Sequence, residues 1–183
     1  MVISDVCWRY MSLRKLTERN LRLGVLAIQG AFIEHNEMLT RAVKQLGCEA
    51  RVHIVDVREP DQLSDLTGLV IPGGESTTMN LFLRQNGFIG GLDITASRNS
   101  FGHQVDSFEA MLKLKIPWNL FMSTKKSPLN NPEVKVLTEM ESEGRAVPVA
   151  VQQGKLMATC FHPELTTDSR WHCCFLEMCM HLV

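Results

Sequence analysis

Two hydrophobic periods alternate along the first half of the chain. Short apolar runs typical of strands buried in a sheet cover residues 23–28 and 69–71, and alternating apolar and polar residues predict another strand over 51–57. Apolar positions at helical spacing follow over residues 31–46 and 76–84, and residues 60–66 are predicted as a short turn and helix. Strands that alternate with helices in this way predict parallel strands joined by crossover connections, and therefore an α/β fold.

The second half has a different pattern, with strands close together and few helices between them. The strand-like segments cover residues 92–97, 105–114, 134–138, 147–152 and 155–161. Gln153-Gly154 predicts a tight hairpin turn between the last two, whereas residues 117–132 show no sustained period and are predicted as loop. An amphipathic helix is predicted over about residues 168–182.

Length and composition favour one globular domain. The 183 residues are 45% hydrophobic and 21% charged, which excludes a disordered or collagen-like chain. We assign the domain to residues 21–183 and predict that residues 1–20 are a disordered extension. A transit peptide is the alternative for residues 1–20, but they hold two acids and few serines.

Charge and cysteine content limit the partners that the chain is expected to have. The net charge of −1 gives no overall basic field, so we expect no nucleic acid and no membrane partner. The six cysteines follow no disulfide framework, which indicates reduced thiols and a cytoplasmic protein. Because no C-x-x-C pair occurs, we expect no metal site, and nothing indicates a bound cofactor.

The first motif with chemical potential is IPGGESTT, residues 71–78, where a predicted strand breaks into two glycines and a helix begins. Such a loop points backbone N–H groups and the positive end of a helix dipole into a cleft, where they can hold a phosphate, a carboxylate or an oxyanion. The motif lacks the Lys of a Walker A loop. A plain tight turn capped by Ser76 or Thr77 explains the same residues equally well.

The second motif is CFHPEL, residues 160–165, which follows a predicted strand. In extended chain, residues two apart face the same way, so His162 and Glu164 are expected to lie side by side. A carboxylate next to an imidazole fixes its tautomer and stabilises its cation, as in the base that activates a nucleophile. A surface His–Glu pair without catalytic purpose is the alternative.

Four segments together resemble the glutaminase subunit of pyridoxal 5′-phosphate synthase, a class I (triad) glutamine amidotransferase. They occur in the family's order: LGVLAIQGAFIEH (23–35), GLVIPGGESTTM (68–79), IGGLDITASRNSFGHQVDSFEA (89–110) and VAVQQGKLMATCFHPELTTDSRWH (149–172). The resemblance implies a flavodoxin-like fold, a mixed, mostly parallel sheet flanked by helices. It also implies hydrolysis of glutamine to glutamate and ammonia for vitamin B6 biosynthesis, and a barrel-shaped synthase subunit as partner.

The resemblance also implies roles for individual residues. His162 and Glu164 match the family's base and its orienting acid, and Gly73 with Gly74 matches the loop that contributes to the oxyanion hole. The positions that match residues holding glutamine are Gly74, Glu75, Ser76 and Arg98. Chemically, the Arg98 guanidinium can bind the α-carboxylate through two hydrogen bonds, and Glu75 can accept from an amine or amide.

The family's nucleophile has no counterpart in this sequence. Relatives carry it as the Cys of a Gly-x-Cys-x-Gly turn, and neither Cys48 nor Cys160 lies between two glycines in that pattern. The turn would fall between Phe88 and Ile89, where a strand, turn and helix of about 30 residues is missing by βαβ arithmetic. The family's Ile-Arg-Ala-Pro stretch is also replaced, within residues 115–132.

Three hypotheses follow. In the first, the chain is a catalytically impaired member of a glutaminase family, and a skipped exon or a faulty gene model accounts for its gaps. In the second, it is a non-catalytic module that still docks on the synthase subunit. In the third, the glycine loop binds an unrelated ligand, such as a nucleotide, in a flavodoxin-like domain.

Overall fold

The computed structural model describes residues 20–73, 134–142 and 144–180. These residues belong to two compact units. The first contains residues 20–73 and 162–180, and the second contains the described residues between 134 and 161.

The first unit is built on a parallel sheet with β1 (Leu21–Leu26) at its centre. The strands β2 (Val52–Val57) and β3 (Gly68–Val70) flank β1, and both run parallel to it. Leu23, Val25 and Leu26 are fully buried in β1, as expected for a central strand covered on both faces. The predicted parallel arrangement is therefore confirmed.

Two helices pack together in the first unit. In α1 (Phe32–Gln45), the buried residues recur every three or four positions and form one apolar face; they are His35, Met38, Leu39, Ala42 and Val43. The second helix is α2 (Arg170–Met180), and Ser169, just before it, donates a hydrogen bond from its Oγ to Gln45 Oε1 on α1 at 2.6 Å. A methyl group on Gly68 would overlap Cys179 Sγ, so α2 also lies directly against β3.

The second unit is an antiparallel sheet of two consecutive hairpins. It consists of β4 (Lys135–Ser142), β5 (Arg145–Gln153) and β6 (Leu156–Thr159), in that order. Gln153 pairs with Leu156 across the turn, so the hairpin predicted at Gln153-Gly154 is confirmed. Leu137 and Thr138 are fully buried.

The predicted elements within the described ranges are found, with ends displaced by at most four residues. The helical turn predicted over 60–66 is a 3₁₀ helix, Pro60–Leu63, and the C-terminal helix is α2. The predictions for residues 1–19, 76–84, 92–97, 105–114 and 117–132 lie outside the described residues. In the part of the chain that the structure describes, no helix has the length and apolar content needed to cross a membrane.

Candidate active site

The two residues of the second motif are hydrogen bonded to each other. His162 Nδ1 lies 2.8 Å from Glu164 Oε1; the Glu164 side chain is 1% exposed and that of His162 is 60% exposed. Because an ionised carboxylate only accepts, Nδ1 carries the hydrogen and donates it. The opposite ring nitrogen, Nε2, then keeps its lone pair. An exposed imidazole held in this tautomer is arranged to take a proton from a neighbouring group.

A short turn rather than extended chain brings this pair together. Glu164 lies in a 3₁₀ helix, Pro163–Leu165, with Pro163 at its first position. The turn is closed by hydrogen bonds from Leu165 N to His162 O at 3.3 Å and from Thr166 Oγ1 to Pro163 O at 3.0 Å. The expected pairing of His162 with Glu164 is therefore found, but the extended geometry expected for it was wrong.

The glycine loop reaches the same place from the end of β3. A methyl group on Gly73 would lie 3.2 Å from His162 Cε1 and 3.8 Å from its Nδ1, so the backbone of Gly73 packs against the imidazole. A methyl group on Gly30, in the loop after β1, would in turn overlap the Gly73 carbonyl oxygen. The structure thus brings Gly73, His162 and Glu164 together. The predicted glutamine-binding residues Gly74, Glu75, Ser76 and Arg98 lie outside the described residues.

Two histidines that the sequence analysis did not identify as site residues lie next to Glu164. His35 Nε2, on α1, lies 3.4 Å from Glu164 Oε2, and His35 Nδ1 lies 2.9 Å from His172 Nε2, on α2. Burial lowers the pKa of His35, opposed by the charge of Glu164. Burial, together with His35, lowers the pKa of His172 to about 4. Both rings are therefore neutral near pH 7. A histidine among the apolar positions of the predicted α1 could have indicated that His35 is buried. Nothing in the sequence, however, indicates that residues 35 and 172 are in contact.

The described cysteines are not activated as nucleophiles. Burial raises the pKa of Cys48, Cys160 and Cys174. It also raises the pKa of Cys173 to about 11 and that of Cys179 to about 12. A thiol becomes a good nucleophile when a nearby positive charge lowers its pKa toward neutrality. Of these five thiols, Cys48 has such a charge nearby, on Arg51, but burial outweighs it, and the pKa of each thiol is raised.

Across the described ranges, no three His, Cys, Asp or Glu side chains are grouped so that they could hold a metal ion. The site that the structure describes consists of an oriented imidazole beside a glycine turn. An imidazole–carboxylate pair next to a glycine loop on a parallel α/β sheet is typical of triad-type hydrolases and acyl transferases.

Comparisons with known proteins identify the class more closely. Residues 25–93 and 88–181 match the model of the SNO glutamine amidotransferase family. A solved crystal structure of a glutamine amidotransferase superposes with a TM-score of 0.63 at 30% identity, covering 86% of this chain and 98% of that chain. The chain belongs to the SNO glutamine amidotransferase family.

Similar curated proteins carry one shared name, pyridoxal 5′-phosphate synthase subunit PdxT. The relative from Dehalococcoides mccartyi (strain 195) is 36% identical over 200 residues, with 86% of this chain and 97% of the relative covered. The relative from Herpetosiphon aurantiacus is 37% identical over 201 residues, covering 86% and 100%. The relative from Thermococcus onnurineus is 33% identical over 199 residues, covering 86% and 98%.

Proposed function

We propose that the chain is a glutaminase subunit of pyridoxal 5′-phosphate synthase, with the amidotransferase pocket between His162 and the loop at Gly73. The observation that carries the proposal is the 2.8 Å hydrogen bond from His162 to the buried Glu164, directly beside Gly73. The family match, to a glutamine amidotransferase family, supports glutamine as substrate, and the shared name of the PdxT relatives supports pyridoxal 5′-phosphate synthase as the assembly. The reaction that the resemblance implies is hydrolysis of glutamine to glutamate and ammonia for use by a synthase subunit.

In the family's reaction, which needs the thiol that this sequence lacks, each matched residue has a role. His162 Nε2 takes the thiol proton, the resulting thiolate attacks the side-chain amide carbon of glutamine, and the imidazolium then gives its proton to the departing ammonia. Glu164 stabilises the imidazolium that forms in between. Backbone N–H groups of the Gly73-Gly74 loop stabilise the oxyanion, while Glu75, Ser76 and Arg98 hold glutamine. Water then hydrolyses the thioester and releases glutamate.

We further propose that this chain is catalytically impaired because it lacks the thiolate. The alignment with the Dehalococcoides relative spans 200 positions, whereas 86% of 183 residues is about 157, so some 40 aligned positions have no residue in this chain. The family match divides into two segments that meet at residues 88–93, around the junction where the sequence lacks the nucleophile turn. The raised thiol pKa values of the described cysteines support the same proposal.

Ammonia release from glutamine, measured with the synthase subunit present, tests both parts. The unmodified chain is expected to turn over at least about 10³-fold more slowly than an intact relative, because loss of one triad member removes most of the rate enhancement. A chimera that carries the relative's strand–turn–helix segment between Phe88 and Ile89 is expected to gain activity. The same chimera with Glu164→Gln or His162→Gln is the control and is expected to lose it.

Two results would contradict these proposals. Turnover by the unmodified chain near that of an intact relative would overturn the proposed impairment. A folded chimera whose ammonia release does not change on His162→Gln would overturn the proposed site.

A non-catalytic role on the synthase subunit is the second candidate function, favoured by the described thiols, because burial raises the pKa of each of them. In this role the chain would be cytoplasmic and would associate with the barrel-shaped synthase subunit. Co-purification of the unmodified chain with that subunit at micromolar concentration is the expected result. Absence of any association at that concentration would contradict the docking role.

A further inference from the structure

The second oxygen of Glu164 faces a buried pair of histidines contributed by two different helices. His35 Nε2 lies 3.4 Å from Oε2, and the ring centroids of His35 and His172 are 5.1 Å apart. The Glu164 and His35 side chains are 1% and 9% exposed, so solvent does little to hold the carboxylate in place. The neighbouring protein groups must do so instead.

The positions of the ring hydrogens on His35 and His172 follow from the neighbouring Glu164 carboxylate, which has no hydrogen to donate. His35 Nε2 faces Glu164 Oε2 at 3.4 Å, an electrostatic contact rather than a hydrogen bond. A hydrogen on Nε2 is favoured beside the negative oxygen, which leaves His35 Nδ1 as an acceptor. His172 must then donate from Nε2, over the 2.9 Å contact, and its Nδ1 is left without a hydrogen. That nitrogen is indeed buried with no hydrogen-bond partner among the described residues, which an acceptor tolerates better than an N–H group does.

We infer that His35 and His172 are positioning residues, which hold the Glu164 carboxylate so that His162 keeps its hydrogen on Nδ1 and its lone pair on Nε2. His172 fixes the tautomer of His35 through a hydrogen bond, the N–H group of His35 faces one oxygen of Glu164 at 3.4 Å, and the other oxygen orients His162 through a hydrogen bond. The inference rests on the proposed function for the catalytic meaning of the His162 tautomer. The hydrogen-bond order itself does not depend on that function.

Among the described residues, the titratable groups that affect the pKa values of His35 and His172 lie on α1, on α2 and in the 3₁₀ segment between them in sequence. Glu34 lies beside His35 on α1, His162 and Glu164 belong to the 3₁₀ segment, and His172 belongs to α2. The two acids favour a protonated His35, whereas burial and His162 oppose it, and burial is the largest of these effects. His35 and His172 are therefore neutral, and neither is a second cation that competes with His162 for the Glu164 carboxylate.

Two substitutions at position 35 separate positioning from simple packing. The amide nitrogen of glutamine reaches about as far as Nε2 of histidine, so His35→Gln keeps a donor for Glu164. The shorter asparagine reaches only about as far as Nδ1, so His35→Asn leaves Oε2 without a donor while introducing the same polar group. Histidine-selective ¹⁵N NMR of the full chain, without glutamine or synthase, reports the tautomer of His162, whose signal is assigned by its loss in His162→Gln.

We expect His162 to remain in the Nδ1–H tautomer in the unmodified chain and in His35→Gln. In His35→Asn the ratio of the two tautomers is expected to change by about two- to tenfold toward Nε2–H, the range that one ordinary hydrogen bond controls. If His35→Asn does not fold, His172→Asn carries the same test one bond farther from the carboxylate, with a smaller change in the same direction.

The exposed His53, on β2, gives the matched control, and His53→Gln is expected to leave the signal of His162 unchanged. A His162 tautomer that is the same in a folded His35→Asn as in the unmodified chain would overturn the inference and leave the two histidines a packing role. Since no glutamine is present, failure of the ammonia assay would not affect this result, and failure here would not affect the ammonia assay.

Discussion

The neutral state of the buried His172 couples the stability of the first unit to pH. Burial and the neighbouring His35 lower its pKa from 6.5 to about 4, against the opposite effect of Glu164. The unfolded chain therefore protonates this ring at a higher pH than the folded chain does. The resulting stabilisation is fully present above pH 6.5 and is lost as the pH falls toward 4. A difference of this size corresponds to about 3 kcal/mol.

Replacing His172 by glutamine is expected to remove this dependence, because glutamine keeps a donor for His35 but does not titrate. Urea unfolding at pH 7 and pH 4 measures it: the unmodified chain should lose about 3 kcal/mol more unfolding free energy between the two pH values than His172→Gln does. His53→Gln, at an exposed position, is expected to behave as the unmodified chain. Equal losses in His172→Gln and the unmodified chain would contradict a neutral, buried His172.

At the scale of secondary-structure elements, the loop after β1 requires a glycine at position 30. Gly30 has a φ of +85°, and a methyl group there would overlap the Gly73 carbonyl oxygen. Gly30→Ala is therefore expected to add a steric cost to the cost of a left-handed backbone, lowering the unfolding free energy by about 3 kcal/mol, and to alter the NMR signal of His162 beside Gly73.

Gly144, between β4 and β5, provides the control for Gly30→Ala. Its φ is +71°, but a methyl group there would meet nothing within 4 Å. Gly144→Ala should therefore lower the unfolding free energy by only about 1 kcal/mol, the cost of a left-handed backbone at alanine. It should leave the NMR signal of His162 unchanged. Equal effects of the two substitutions on His162 would show that contact between the two loops does not position the site.

The same elements show what local sequence patterns could and could not predict. Hydrophobic periodicity sufficed for β1, α1 and α2, because each must bury one continuous apolar face. It missed the 3₁₀ helix at Pro163–Leu165, which is too short to show a period and is set by turn hydrogen bonds. The neighbours His162 and Glu164 were found because their pairing is local. His35 and His172 were missed because 137 positions separate them and only the packing of α1 on α2 joins them.

At the scale of the whole molecule, the proposed absence of a strand–turn–helix bears on stability as well as on catalysis. The resemblance implies that its strand belongs in the middle of the parallel sheet, so a chain without it is expected either to leave two strand edges unpaired or to close them over the gap. Such a chain also buries less apolar surface than an intact relative. We therefore expect this chain to be less stable than its relatives.

The chimera with the relative's segment between Phe88 and Ile89 is therefore expected to melt higher than the unmodified chain. If the segment restores several kcal/mol, the melting temperature should rise by at least about 5 °C, measured by calorimetry or circular dichroism without glutamine. Changing the inserted nucleophile to alanine should preserve this rise while abolishing ammonia release, since the strand and helix provide the burial and the thiol only the chemistry. A glycine–serine insert of equal length should give no rise. An increase with that insert would mean that relief of a strained junction, not a restored sheet, explains the gain.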